Sequence, residues 1–319
     1  MLVVDPGFLT TLQDSGRAGW QRFGVPAGGA MDRFALMAAN ALVGAPADAA
    51  GLECALGGCV LLAEEDTLVA AAGVGVTLTV GGRALPLWMA AYARQGEQIV
   101  LAPDPAAPQA AGWSYLAFTG GITVPLVMGS RSTYLRGGFG GLYGRALQLG
   151  DRLSLGPAPA VASLMARAGI SLPARCRPAY AAQAVIAAVA GPQETAFTGQ
   201  ALEKFFSSEY SVTLASDRMG YRLSGPVLEH ASPVQADLLS EGTALGSVQV
   251  PAAGQPLVLL ADRQATGGYP KIATVASMDL PLLVQSRPGE GRVRFRRVSV
   301  AEAQVGWRAL AAGLRTLAG

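Results

Sequence analysis

The sequence predicts a mainly β protein of two related modules, with a few short helices. Three observations carry this. Forty-one glycines and twenty prolines punctuate 319 residues, a density that favours short strands and turns over long helices. Hydrophobic residues make up 51% of the chain and charged residues 14%, enough for a sizeable core in one large domain or two ordinary ones. Finally, two regions echo each other in order and spacing. Arg17-Ala-Gly-Trp20 and Arg218-Met-Gly-Tyr221 both read Arg-x-Gly-aromatic, with the next glycine seven residues past the arginine. Leu61-Leu-Ala-Glu64 matches Leu259-Leu-Ala-Asp262 at offsets of 44 and 41 from those arginines. Arg94-Gln-Gly-Glu97 then matches Arg287-Pro-Gly-Glu290, 33 and 28 residues past the two leucines. Three ordered matches indicate an internal duplication.

Strands are expected at residues 68–72, 76–80 and 98–102 in the first copy, and at 248–250, 257–260 and 293–298 in the second. They are short, β-branched and bounded by Gly/Pro turns, as in small barrels. In the last of them Arg292, Arg294 and Arg296 alternate with apolar residues, which gives a strand with one basic face. Apolar residues at helical spacing predict a helix over 31–43, with Asp32 as N-cap and Gly44 as the stop. Residues 161–168 and 301–317 are further helix candidates. The expected organisation is a first β module over 1–160, including a glycine-rich β segment at about 112–156. A linker over 161–180 follows, and then a second module over 181–319 that ends in a helix.

Composition excludes several function classes. The net charge of +2 and the scattered arginines leave no basic stripe for a nucleic acid. Cys54, Cys59 and Cys176 make no disulfide framework, and the sole histidine, His230, has no ligand partner near it in sequence, so no metal site is expected. Asp5 and Pro6 interrupt any leader-like start, and the uncharged stretch 105–130 is broken by prolines and glycines. No membrane helix is expected, and the expectation is a soluble cytoplasmic protein.

The most informative stretch is Asp262-Arg-Gln-Ala-Thr-Gly-Gly-Tyr-Pro-Lys271. It follows an apolar run that reads as a buried strand, and it gathers a carboxylate, a guanidinium, a carboxamide, a hydroxyl, a phenol and an ammonium around a Gly-Gly pair. Gly267 and Gly268 permit positive φ and close approach to a ligand. Lys271 is one of only two lysines, with Lys204. An ammonium has a movable pKa that a guanidinium lacks. The loop reads either as a binding or catalytic loop lining the main concave pocket, or as a tight hairpin tip.

Many ordered segments carry a further signal. In the first half they include Thr10-Thr-Leu-Gln-Asp-Ser-Gly-Arg-Ala-Gly19, Gly28-Gly-Ala-Met-Asp32, Gly51-Leu-Glu53 and Met128-Gly-Ser-Arg-Ser-Thr133. In the second half they include Gly191-Pro-Gln193, Asp217-Arg-Met-Gly-Tyr-Arg-Leu223, the run from Val248 to Pro256, and Thr266-Gly-Gly-Tyr-Pro-Lys271. Together these segments resemble the biotin-dependent carboxyltransferase-like family, which includes the C component of 5-oxoprolinase, allophanate hydrolase subunit 2 and KipA. The resemblance implies cyclophilin-like β-barrels and a KipI-like sister protein, the B component of 5-oxoprolinase, together with the A component. It implies an ATP-dependent opening of 5-oxoproline to glutamate. The alternatives are carboxylation of urea or another amide, and a non-catalytic KipA-like antagonist of a KipI-like kinase inhibitor. No Gly-Lys-Ser or Gly-Lys-Thr occurs, so a P-loop is absent, and neither lysine is flanked by methionine as in biotin carriers. ATP is therefore expected to act through the assembled complex, with no covalent biotin on this chain.

Under this resemblance Asp262 and Lys271 form a proton-transfer or orienting pair, or else a structural bridge, with Tyr269, Gly267 and Gly268 lining the pocket. Gln193 and Gln249 offer carboxamides that both donate to and accept from an amide or lactam substrate, or else cap backbone groups at strand ends. Arg218 and Arg222 hold a carboxylate or phosphate, or Arg218 pairs with neighbouring acids such as Asp217. In the first half Gln13, Asp14, Arg17, Glu53 and Arg131 form a secondary cluster that favours structure over catalysis. There a buried Glu53 is expected to pair with Arg17 or Arg131.

Overall fold

The computed structural model describes residues 1–107 and 112–317. Residues 108–111, part of the uncharged stretch 105–130, and the last two residues lie outside that description. Two compact units interleave along the chain. The first comprises 1–17, 28–177 and 311–319, and the second 18–27 and 178–310.

In the first unit ten strands run in chain order: β1 Leu2–Asp5, β2 Leu9–Gln13, β3 Gly51–Ala55, β4 Val60–Leu62 and β5 Thr67–Ala72, then β6 Val76–Val80, β7 Arg83–Leu85, β8 Ala90–Ala93, β9 Gln98–Pro103 and β10 Trp113–Phe118. A short pair, β11 Ile122–Thr123 and β12 Ser154–Leu155, completes the set. The ten make two five-stranded sheets, β1-β4-β9-β6-β7 and β2-β3-β10-β5-β8. Their inward faces share one core, in which Val3, Leu61, Leu78 and Ile99 of the first sheet join Leu12, Leu52, Val69 and Phe118 of the second.

Helix α1, Arg33–Val43, starts and stops where its sequence says it should. The Asp32 carboxylate accepts the Ala35 N–H at 2.9 Å, and Gly44 ends the helix at φ 73°. The helix lies against β5 and β10, which explains why all six residues of β5 are buried. Val69 and Ala71 face the core, and the alternate residues face the helix. Helix α2, Val161–Arg167, is also where its apolar spacing places it. Trp113–Phe118, at the start of the expected glycine-rich segment, sits centrally between β3 and β5.

The second unit carries β13 Gln183–Ala190, β14 Glu209–Val212, β15 Gly220–Ser224, β16 Glu241–Gly242 and β17 Ser247–Gln249, then β18 Leu257–Leu259, β19 Thr266–Gly267, β20 Lys271–Val275 and β21 Arg292–Arg297. Seven of these close a barrel in the order β13-β20-β17-β18-β15-β14-β21. Every pairing is antiparallel except the closing one, in which β21 runs parallel to β13. The remaining two, β16 and β19, form a separate ribbon. In β21, Val293 and Phe295 are buried while the arginines are exposed. Glu209 and Glu194 meet three of them, with Arg297 at 2.9 Å from Glu194, so this basic face is largely neutralised by the protein itself.

Helix α3, Gly199–Ser207, and the five-residue α4, Leu280–Val284, were not foreseen from sequence. The Thr198 hydroxyl caps α3 by accepting the Ala201 N–H at 3.1 Å, and Phe205 stacks on Phe295 at 4.5 Å between ring centroids. A final helix, α5, spans Val300–Arg315.

The repeated Arg-x-Gly-Glu motifs both fold as tight turns that feed a strand. The Glu97 N–H donates to the Arg94 carbonyl, and the Glu290 N–H to that of Arg287, at 3.0 and 3.1 Å. The repeated leucines differ in setting. Leu61 lies on β4 beside β9, whereas Leu259 lies on β18, which is not a neighbour of β21.

Candidate functional site

The barrel wall brings two carboxamides and a lysine to one place. Gly191 ends β13 so close to β20 that a Cβ there would lie 2.0 Å from the Lys271 carbonyl oxygen. That approach sets Gln193 against Lys271, whose main-chain N–H donates to Gln193 Oε1 at 3.1 Å. Across the barrel wall Gln249 pairs with Lys271 in register, next to an irregularity in β17. The Gln249 carboxamide is itself held at both ends. It donates to the Tyr269 carbonyl at 3.3 Å and accepts from Gln264 Nε2 at 3.2 Å.

The Lys271 side chain is 5% exposed, and its ammonium contacts Glu241 Oε1. Gln193 Nε2 donates to the same oxygen at 2.7 Å. Glu241, 46% exposed on the two-residue strand β16, was not singled out from sequence. The Lys271 ammonium, followed by the Gln193 donor, holds its carboxyl below the usual carboxylate range. A depressed carboxyl contributes stability above its unfolded pKa and loses it as pH falls through the folded value. At half exposure that contribution is small.

Two expectations for the loop are corrected. Asp262 is not the partner of Lys271. It forms a buried, two-pronged pair with Arg218, at 2.8 Å from Nε and 3.1 Å from Nη2. The two carboxylate–cation pairs are therefore Arg218–Asp262 and Lys271–Glu241. Nor do Gly267 and Gly268 take positive φ. What requires glycine is contact with the chain's own atoms. A Cβ at Gly267 would lie 2.7 Å from Gln249 Nε2, and one at Gly268 would lie 2.8 Å from the Leu238 carbonyl oxygen.

Tyr269 is 40% exposed. Arg222 is exposed at the rim of a cavity of ≈ 120 Å³, which is also lined by Asp217, Met219, Leu257 and Gln264. Of the loop expected to line the main concavity, only Gln264 reaches this one. Larger cavities of ≈ 500 and ≈ 540 Å³ are lined by residues of the first unit such as Met37 and Leu164.

The first-half residues build a separate polar core. Asp14 accepts from the Ser130 hydroxyl at 2.7 Å, the Gly16 N–H at 2.7 Å, and the Ser132 hydroxyl. Gln13 donates to Thr11 Oγ1 and the Thr133 carbonyl. Arg17 donates to the Ser132 carbonyl and lies 5.0 Å over the Phe139 ring, while Arg131 Nε donates to the Val124 carbonyl at 3.2 Å. Glu53, 1% exposed, accepts from the Met31 N–H at 2.7 Å and the Tyr115 hydroxyl at 2.8 Å. A main-chain N–H and a phenol thus share one carboxylate oxygen, Oε2.

The Tyr115 oxygen also accepts the Asp32 N–H at 2.7 Å, so it ties β10 and β3 to the start of α1. Burial, with Glu53 and Asp32 beside it, pushes the phenol well above its ordinary pKa. Tyr115→Phe leaves a buried N–H without that acceptor and should lower stability by about 1–3 kcal/mol. A urea titration should show a lower midpoint at unchanged slope. A midpoint equal to wild type would show that the hydroxyl carries no net stabilisation.

Residues 23–297 match the carboxyltransferase domain family, subdomains A and B. The chain belongs to that family. Among its relatives, the C component of 5-oxoprolinase from Escherichia coli is 37% identical over 309 residues, covering 94% of this chain and 92% of that protein. The Haemophilus influenzae protein of the same name is 35% identical, again over 94% of this chain. Urea amidolyase of Lachancea kluyveri is 30% identical over 93% of the chain but only 17% of its own length. The crystal structure of K. lactis urea amidolyase superposes with a TM-score of 0.90 at 27% identity, covering 99% of this carboxyltransferase-family chain and 20% of the larger one.

Proposed function

We propose that this chain is the C component of an ATP-dependent 5-oxoprolinase, a cytoplasmic enzyme in which it works with a KipI-like B component and with an A component. The observation that carries this reading is the 37% identity to a 5-oxoprolinase C component across almost the whole of both chains. Relatives named for urea chemistry are less similar and match through a small part of their length.

Ring opening breaks the lactam C–N bond, adds the oxygen of water to the carbonyl carbon, and delivers protons to the leaving nitrogen. Amide resonance makes that carbon a poor electrophile, so the site must recognise the amide edge and stabilise negative charge developing on its oxygen. Gln249 and Lys271 on adjacent strands of one barrel, and Gln193 just past the end of β13, supply donors of the required kind. The two lysines are engaged by Glu229 and Glu241, and no P-loop sequence is present. These residues do not form a nucleotide site of that type, so the ATP step belongs to the assembly.

The test is reconstitution. The purified A and B components should release glutamate from 5-oxoproline with ATP only when this chain is added, and the chain should co-elute with its partner in size-exclusion chromatography. Full activity from the other two components alone would remove this chain from the enzyme. Carboxylation of urea by the chain with a biotin-loaded partner would favour the second reading, which the TM-score of 0.90 to urea amidolyase supports.

A further inference from the structure

The Lys271–Glu241 contact is an unusual way to hold a buried cation. A buried ion pair repays its desolvation only when further hydrogen bonds fill the remaining capacity of its partners. Here the ammonium is 5% exposed while the carboxylate is 46% exposed. The Arg218–Asp262 pair in the same barrel is the contrasting case, with both side chains 8% exposed and two hydrogen bonds joining them. Among the described residues, one acceptor, Glu241 Oε1, takes a hydrogen from the Lys271 ammonium. An ammonium has three to give.

The carboxylate is also lightly tethered. Glu241 sits on a two-residue strand outside the barrel, opposite Gly267, which has no side chain to pin it. Its second anchor, Gln193 Nε2, is fixed independently of it, because Gln193 Oε1 accepts the main-chain N–H of Lys271. If Glu241 swings into solvent, Lys271 and Gln193 remain in place as adjacent donors converging on one oxygen position. Two donors on one oxygen, beside a buried positive charge, form a receptor for an anionic oxygen.

We infer that Glu241 is a resident stand-in for the ligand's carboxylate, and that an anionic oxygen of the ligand replaces it on Lys271 and Gln193. This rests on the 5-oxoprolinase reading for the ligand's identity, since 5-oxoproline carries one carboxylate beside its lactam. Lys271 and Gln193 then hold that carboxylate, and Gln249 lies across the strand pair on the side of the lactam. Because the incoming and resident groups carry the same charge, Glu241 sets a threshold that only a ligand able to make both contacts passes.

Glu241→Gln keeps the shape and the accepting oxygen but removes the competing charge. In the reconstituted complex, KM for 5-oxoproline should fall about fivefold at low salt, with a smaller effect at high salt, as for a screened charge at a half-exposed site. Inhibition by the neutral lactam 2-pyrrolidinone should change less than twofold. A residue that only braces the ribbon would weaken both ligands together. An unchanged or raised KM for 5-oxoproline, or an equal gain for 2-pyrrolidinone, overturns the inference. A wild-type complex that does not turn over 5-oxoproline refutes the 5-oxoprolinase reading instead. In that event, acetate binding to the isolated chain, tighter in Glu241→Gln and lost in Lys271→Met, still decides whether the exchange occurs.

Discussion

Arg218→Met should destabilise the second unit by about 3–5 kcal/mol, the cost of leaving one member of a buried ion pair without its partner. Asp262 would remain buried, at 6% exposure, without the two guanidinium hydrogen bonds it accepts. Differential scanning calorimetry should show the loss as a fall in Tm of roughly 10 °C or more for a unit of this size. Asp262→Asn, which retains one acceptor, should fall between that variant and wild type. The double replacement Arg218→Met with Asp262→Leu should recover much of the loss, because an apolar pair removes both desolvation penalties. A double variant as unstable as the single one would mean that the pair holds the strand ends in a geometry that packing alone cannot supply.

Lys271→Met should have the opposite profile, with little change in Tm and a loss of roughly a hundredfold or more in kcat/KM of the reconstituted enzyme. Methionine fills most of the buried stem, and Glu241 is exposed enough to be hydrated when its partner goes. If Lys271 anchors the substrate's carboxylate, the loss falls mainly on KM, and Lys271→Arg retains part of the activity because the charge survives. A methionine variant with normal KM and a collapsed kcat would give Lys271 a proton-transfer role instead. A fully active methionine variant would return the loop to a hairpin tip.

Much of the fold was legible because its signals are local. Asp32 and Gly44 bound α1 through their own side chain and backbone, and the alternation along β21 is visible in six consecutive residues. Lys271 stood out by rarity and by its neighbours. Its partner did not, because Glu241 belongs to a two-residue strand too short to show any period. Asp262 and Arg218 carried matching chemistry, but nothing in the spacing said that Asp262 would turn to the arginine and not to the lysine nine residues on. The Tyr115–Glu53 contact was hidden for a related reason. Tyr115 lies on β10, and only the β3–β10 register, with Tyr115 opposite Glu53, brings its hydroxyl there. Helix α3 left a readable trace in the Thr198 cap, but its nine residues are short enough to pass for a turn among glycines.

The parallel seam between β13 and β21 also bears on how the molecule comes into being. It joins segments more than a hundred residues apart, from Gln183 opposite Arg292 to Ala188 opposite Arg297, and a seam of that span forms slowly. During synthesis Gln193, Glu241, Gln249 and Lys271 all leave the ribosome before the strand that shuts the barrel. Until β21 arrives, β13 and β14 are open edges with unpaired main-chain groups, the kind of surface that recruits other chains. A chain cut short before Arg292 would thus contain every proposed ligand contact and still be prone to self-association, so its failure in an assay would report on assembly of the sheet and not on chemistry.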